Sequence, residues 1–193
     1  MGYTSKGVRE NLEGIMGLTE SVHGYLWDSE SYKNATAVDH RRLAIEGELG
    51  VKLLSVDSDD VSEWEVEYEP IIEIHMAGMD GPKEDDLGRR GLELIGTNCI
   101  HAGVVHSSNT KRCLIGEISL NEVMAVSVDK KKVEQVTLSE LKVGEMLGPV
   151  ATLSWLLKKL KSEGNKEEAL LREGAFVICS TPGALHLVPP GSE

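Results

Sequence analysis

The sequence is poor in aromatic residues and in cysteine, and each scarcity limits what the protein can be. Aromatic side chains make up 4 % of the 193 residues, and Phe176 is the single phenylalanine. The core is therefore predicted to consist of Leu, Ile, Val and Ala, within an ordinary hydrophobic fraction of 40 %. The three cysteines, Cys99, Cys113 and Cys179, form no closely spaced pair. Such a count is typical of reduced thiols, so we expect a cytoplasmic protein.

Long hydrophobic runs and positive charge are scarce as well. No apolar run approaches the roughly 20 residues of a membrane-spanning helix, and the first residues lack the apolar stretch of a secretory signal. The formal net charge is −12. A chain this acidic is not expected to have nucleic acid or an anionic membrane as its main partner. The length suits one domain over residues 1–193.

The apolar pattern predicts two long strands close together in the sequence. Residues 42–54 form the first, and residues 70–78 form the second. Residues 64–70 alternate between apolar and acidic side chains, which predicts a further strand or hairpin arm before the second. The intervening acidic residues are typical of a solvated loop.

One segment, Gly148 to Asn165, has the periodicity of a helix. Pro149 suits its first turn, and Gly164 suits its end. Its buried stripe is predicted to consist of Val150, Leu153, Leu157 and Leu160.

The remaining segments predict mostly strands. Residues 113–138 are predicted to form a hairpin around Asp129, and residues 172–193 a strand, a Pro-Gly turn and a short strand. Residues 87–108 are ambiguous between helix and strand, and their end favours strand. The chain is thus predicted to be β-rich, of the α+β class, with few helices.

Three glutamates interrupt the two long apolar strands. Side chains alternate faces along a strand, so Glu46 and Glu48 share one face of the first. Glu73 lies in the second strand and shares its face with His75. Three carboxylates on a rigid sheet suit a hard divalent cation such as Mg²⁺. The alternative is an ordinary solvated face of an antiparallel sheet.

Several stretches of the sequence resemble a known family, in the order in which that family has them. "IEGELGVKLL" followed by "PIIEIH" resembles the E-x-E … E metal site of the 2-keto-4-pentenoate hydratase family, within the fumarylacetoacetate hydrolase superfamily. Residues 2–18, which contain Thr4-Ser5-Lys6, resemble the T-S-K segment of that family. Three more stretches resemble further segments of it, namely "ESVHGYLWDS", "LGPVATLSWLLKKL" and "LREGAFVICSTPGALHLVPPGS". The resemblance implies a fumarylacetoacetate-hydrolase-like mixed sheet or barrel core. It also implies that residues 1–193 form a single catalytic domain, corresponding to the C-terminal domain of that superfamily.

The resemblance also implies an activity, hydration of a 2-hydroxydienoate or other 2-oxo acid in aromatic catabolism. Mg²⁺ or Mn²⁺ would chelate the small acid and stabilise an enolate, and decarboxylation of a 2-oxo acid is an alternative outcome. A homo-oligomer is expected. The implied metal ligands are Glu46, Glu48 and Glu73. The implied acid/base residue is Asp28, and the implied substrate-binding residues are Thr4, Ser5, Lys6, Leu26 and Asn98.

The sequence departs from the family pattern at several functional positions. A family lysine before T-S-K has no counterpart, and the D-S-R that follows the third acid is replaced by His75, Met76 and Ala77. A functional serine is also replaced, so only Asn98 of that motif carries over. The chain is therefore expected to be shortened at both ends relative to the family. These departures leave open a non-catalytic member that acts as an assembly or interaction subunit.

Histidines and a cysteine near the second strand raise one more alternative. Cys99, His101 and His106 have a C-x-H-x₄-H spacing that matches no standard zinc site. His75 is either a partner of the metal ligands or an ordinary satisfied histidine.

Overall fold

The computed structural model describes residues 22–32, 43–76, 87–143, 146–163, 171–179, 181–189 and 191–192. Thr4, Ser5 and Lys6 lie outside the described residues. The α-helices in these ranges are α1, Leu87–Gly96, and α2, Gly148–Glu163. The strands are β1 Ser31–Tyr32, β2 Leu43–Ser55, β3 Glu65–Met76, β4 His101–Val105, β5 Lys111–Leu114, β6 Val123–Val128, β7 Lys131–Thr137, β8 Lys142–Val143, β9 Met146–Leu147, β10 Phe176–Ile178 and β11 His186–Val188. Short 3₁₀ turns cover Asp28–Glu30, Val61–Glu63, Asn98–Ile100, Ile115–Glu117 and Leu138–Glu140.

A mixed sheet organises the described part of the chain. Its strands follow the order β1, β4, β3, β2 and β10, with β11 also paired to β2 and β5 also paired to β3. β1 runs parallel to β4, and the other pairings in this sheet are antiparallel. The strand-rich, mixed-sheet architecture confirms the predicted α+β class.

Strand β3 merges two predicted elements into one. The sequence suggested a separate arm ending at Pro70, but β3 continues through it from Glu65 to Met76. Proline has no amide proton, so it cannot donate a hydrogen bond to a neighbouring strand, and it is therefore rare in the middle of a sheet. Here β5 pairs with residues 65–68 and β4 with residues 72–75, so neither contributes a residue opposite Pro70. The gap between these two neighbours explains why the strand is not interrupted.

The two faces of β2 and β3 have different surroundings. One face contributes Leu49, Val51 and Leu53 to the main hydrophobic core, together with Val66 and Tyr68 of β3. The opposite face contains the three glutamates and a smaller apolar cluster. That cluster comprises Ile71, Val104 and Ile178, with Leu26 and Phe176 packed against it.

Helix α2 covers the main core with a stripe that differs from the predicted one. Leu153, Leu156 and Leu160 are buried, whereas Val150 and Leu157 are only partly buried. The stripe is rotated toward Leu156 because the side chain of Thr152 also faces inward, where it donates to the Cys179 carbonyl oxygen at 3.2 Å. Among the described helices, none is both long enough and apolar enough to cross a bilayer.

The hairpin of β6 and β7 confirms the predicted turn. Asp129 and Lys130 have φ values of 50° and 63°, the left-handed pair that a two-residue hairpin turn requires. The hairpin packs against the sheet at Gly47, where an added Cβ would lie 2.5 Å from Val126 Cγ2. Glycine at position 47 therefore permits the close approach of the two sheets.

Candidate metal centre

The register of β2 and β3 brings the three glutamates onto one face. Glu46 lies directly opposite Glu73, and Glu48 lies opposite Ile71. His75 is two residues beyond Glu73 and shares its face, opposite Ala44. Directly opposed like charges destabilise an antiparallel sheet, so this arrangement requires a compensating partner.

All four side chains are withdrawn from solvent. The exposed fractions are 9 % for Glu46, 1 % for Glu48, 0 % for Glu73 and 1 % for His75. The alternative of a solvated acidic face is therefore wrong for this part of the sheet. Burial of an isolated carboxylate is costly, so the charges must be neutralised by protons, histidines or a cation.

Two histidines contact the glutamates. His75 Nε2 lies 3.0 Å from Glu46 Oε2 and 3.5 Å from Glu73 Oε2. His101, at the start of β4, lies beside His75 in the sheet and places Nδ1 2.6 Å from Glu73 Oε1. On its other side His101 Nε2 lies 3.6 Å from Glu30 Oε2. The ligand atoms of Glu46, Glu73 and His75 all lie within 4.8 Å of one another.

The protonation of the cluster follows from burial and these contacts. Burial, followed by the charges of Glu73 and Glu46, raises the pKa of Glu48 well above its usual value, which favours the protonated form of this carboxyl. Burial would also raise the pKa of Glu73, but the hydrogen bond from His101 and the charge of His75 outweigh it and lower that pKa. Burial would lower the pKa of His75, but Glu46 and Glu73 outweigh it and raise that pKa.

The oxygens of the cluster are incompletely satisfied. The buried atoms Glu48 Oε2 and Glu73 Oε2 receive no hydrogen bond from any described group. Buried polar atoms without partners are rare and require an explanation such as an ion. Carboxylate oxygens and an imidazole nitrogen are suitable ligands for a divalent metal, and three protein ligands leave positions open for a substrate. The residues present therefore fit a divalent cation.

A strained turn positions His101. Asn98, Cys99 and Ile100, immediately before it, have φ values of 52°, 62° and 56°. Three consecutive residues in the left-handed region are costly, most of all for a β-branched isoleucine, and such strain clusters at functional sites. The Asn98 side chain accepts from the Tyr25 amide at 2.8 Å and donates to the Tyr25 carbonyl at 2.7 Å. These two hydrogen bonds hold Tyr25 against the turn. They thereby position the adjacent Leu26, which lines the same cavity as His101.

A cavity of about 420 Å³ adjoins the cluster. His101 belongs to both, because it lines the cavity and contacts Glu73. Leu26, Phe176 and Ile178 supply apolar walls, and Arg172 also lines the space. The arrangement suits a small, partly apolar molecule with an anionic end.

The predicted site residues are thus distributed unevenly. Glu46, Glu48 and Glu73 converge, although Glu48 is not among the ligand atoms that lie within 4.8 Å of one another. Leu26 lines the cavity, while the amide of Asn98 is engaged with the main chain of Tyr25. Asp28 begins a 3₁₀ turn, and its side chain lies outside what the structure describes. The metal and substrate roles of all these residues remain predictions.

Sequence reasoning missed two participants, His101 and Glu30. Both are separated from Glu73 by 28 residues or more along the chain. The C-x-H-x₄-H pattern includes His101 but does not indicate which side chain it contacts. In the structure His101 contacts Glu73, and His106 instead contacts Glu69 at 2.8 Å. An acid–histidine pairing between adjacent strands is visible only once the register is known.

Comparison with solved structures identifies a similar fold. The chain aligns with a 4-oxalocrotonate decarboxylase from Pseudomonas putida G7 in complex with magnesium and adipate, with a TM-score of 0.71 and 18 % identity. The alignment covers 98 % of this chain and 68 % of that chain. No protein-family model matches the sequence, and no curated protein matches it. The chain therefore shares the α+β fold of that decarboxylase.

Proposed function

We propose that the protein is a divalent-metal-dependent lyase that acts on a small 2-oxo acid. The observation that carries the proposal is the convergence of buried Glu46, Glu73 and His75, with Glu48 on the same face, beside a cavity that has apolar walls. The similar fold of a decarboxylase complexed with magnesium and adipate supports the same reaction class. Bound there, a divalent ion would act as a Lewis acid toward negative charge developing on a substrate oxygen.

The protein's own side chains contribute position and exclusion of water. The glutamates Glu46 and Glu73 would hold the ion, and His101 fixes the Glu73 carboxylate by its 2.6 Å hydrogen bond. Leu26, Phe176 and Ile178 would enclose the carbon chain of the acid. An apolar enclosure strengthens electrostatic interactions at the reacting end because it lowers the local dielectric.

Two reactions of this class, hydration and decarboxylation, can be distinguished by what each one consumes or releases. Hydration removes a conjugated 2-hydroxydienoate and decreases its ultraviolet absorption, whereas decarboxylation of an unsaturated 2-oxo dicarboxylic acid releases CO₂. The fold of the decarboxylase favours the second, and the resemblance to hydratase motifs favours the first. Both acids should be tested with Mg²⁺, Mn²⁺ and chelator on the wild type and on Glu73→Gln.

The expected result is metal-dependent turnover of one of the two acids by the wild type and its loss in Glu73→Gln. Metal binding without turnover of either acid would favour the second candidate, a non-catalytic member of the fold that assembles with other subunits. Light scattering of the pure chain measures whether it forms the homo-oligomer we propose. Absence of both metal binding and turnover would refute the proposal.

A further inference from the structure

His75 lies where a metal ligand would lie. We propose that His75 binds the ion directly through Nε2, and that the centre therefore prefers a transition-metal dication such as Fe²⁺, Co²⁺ or Zn²⁺ over Mg²⁺. The inference deepens the proposed function and rests on it in one respect, the presence of a divalent ion at this cluster.

The spacing of the donor atoms supports direct ligation. When each donor is about 2.1 Å from an ion, neighbouring donors are about 3.0 Å apart at a right angle and about 3.4 Å apart at a tetrahedral angle. His75 Nε2 lies 3.0 Å from Glu46 Oε2 and 3.5 Å from Glu73 Oε2. Both distances match donors that share one ion.

The surroundings of these atoms support the same assignment. His101 engages Glu73 Oε1 and leaves Oε2 of the same carboxylate without a hydrogen bond, at the side where His75 lies. A ligating carboxylate is commonly oriented through such a contact from a neighbouring group. His75 is 1 % exposed, and the sheet fixes it on the same face as its two carboxylate partners.

The donor types determine the preferred metal. Magnesium favours an all-oxygen octahedral set, whereas imidazole favours zinc, iron and other later first-row ions. Two carboxylates and one imidazole, with open positions, resemble the ligand sets of such ions more than a magnesium site. Glu48 is not among the mutually close ligand atoms, so the oxygen set that magnesium favours is incomplete.

The test is calorimetric titration of the metal-free chain with Co²⁺ and, separately, with Mg²⁺. The wild type is compared with His75→Gln and with the matched control His186→Gln. Like His75, His186 contacts a glutamate, with Nε2 3.2 Å from Glu134 Oε2. In the sheet His186 lies opposite Ile45 of β2, whose side chain is on the other face from that of Glu46. We expect His75→Gln to weaken Co²⁺ binding about 100-fold, as loss of a metal-site partner does, while leaving Mg²⁺ binding nearly unchanged. His186→Gln should bind both ions like the wild type.

A second measurement needs no variant. The X-ray absorption spectrum of the Co²⁺-loaded wild type should contain the outer-shell scattering of a coordinated imidazole. A spectrum with oxygen donors only, or equal Co²⁺ affinity in wild type and His75→Gln, would overturn the inference while leaving a metal-dependent lyase intact. Failure of the wild type to bind either ion would overturn both. Imidazole scattering without turnover would support the inference and refute only the lyase.

Discussion

Replacement of Glu48 by glutamine should change how stability depends on pH. The side chain is 1 % exposed, and burial with two neighbouring carboxylates raises its pKa well above the ordinary value of 4.5. Above that value the unfolded chain has lost this proton while the folded chain keeps it. The metal-free fold therefore loses stability as pH rises, until the raised pKa is passed.

The pH window that isolates Glu48 can be chosen from its neighbours. The lowered pKa of Glu73 affects stability below 4.5, and the raised pKa of His75 affects it above the ordinary histidine value of 6.5. Between these limits one proton corresponds to about 1.4 kcal/mol per pH unit. From about pH 5 to about pH 6.5 the wild type should therefore lose stability more steeply than Glu48→Gln, with that slope as the upper limit.

Urea denaturation in chelator, repeated across this window, measures the effect. Glu48→Gln keeps the side-chain size and replaces the proton by a permanent amide, so its slope should be flatter. Glu93→Gln, at an exposed position of α1, is the control and should follow the wild type. Parallel pH profiles for the wild type and Glu48→Gln would refute the argument that a buried proton compensates these carboxylates.

Three further predictions concern the core, the strained turn and the thiols. Leu153→Ala, at a fully buried position of α2, should cost about 2–5 kcal/mol in urea denaturation; a cost below about 1 kcal/mol would contradict the assigned core. Asn98→Ala removes two hydrogen bonds to the Tyr25 main chain and should lower the thermal midpoint by an amount equivalent to about 1–3 kcal/mol, an expectation that an unchanged midpoint would exclude. A thiol reagent should modify Cys113 first, since the other two cysteines are buried; Cys113→Ser should remove the fast phase, and its persistence would count against the burial.

The sequence was informative where a short period decides the structure. Glu46 and Glu48 share a face because strand side chains alternate. The turn at Asp129 was predictable because two strand-like segments flank a short polar run. These features depend on neighbours close in sequence.

The sequence was less informative where the partner is distant. Pro70 suggested an interruption, and only the gap between β4 and β5 explains why β3 continues. The buried stripe of α2 includes Leu156 because the helix orientation depends on what it packs against. The contact of His101 with Glu73 depends on the β3–β4 register and on a left-handed turn of three non-glycine residues. No local pattern predicts that turn.

The central claim is that Glu46, Glu73 and His75 hold one divalent ion. Anomalous diffraction from a crystal soaked in Co²⁺ tests it most directly. We expect a single strong peak between Glu46 Oε2, Glu73 Oε2 and His75 Nε2. A crystal with no peak there, or with its strongest peak at another group of residues, would contradict it.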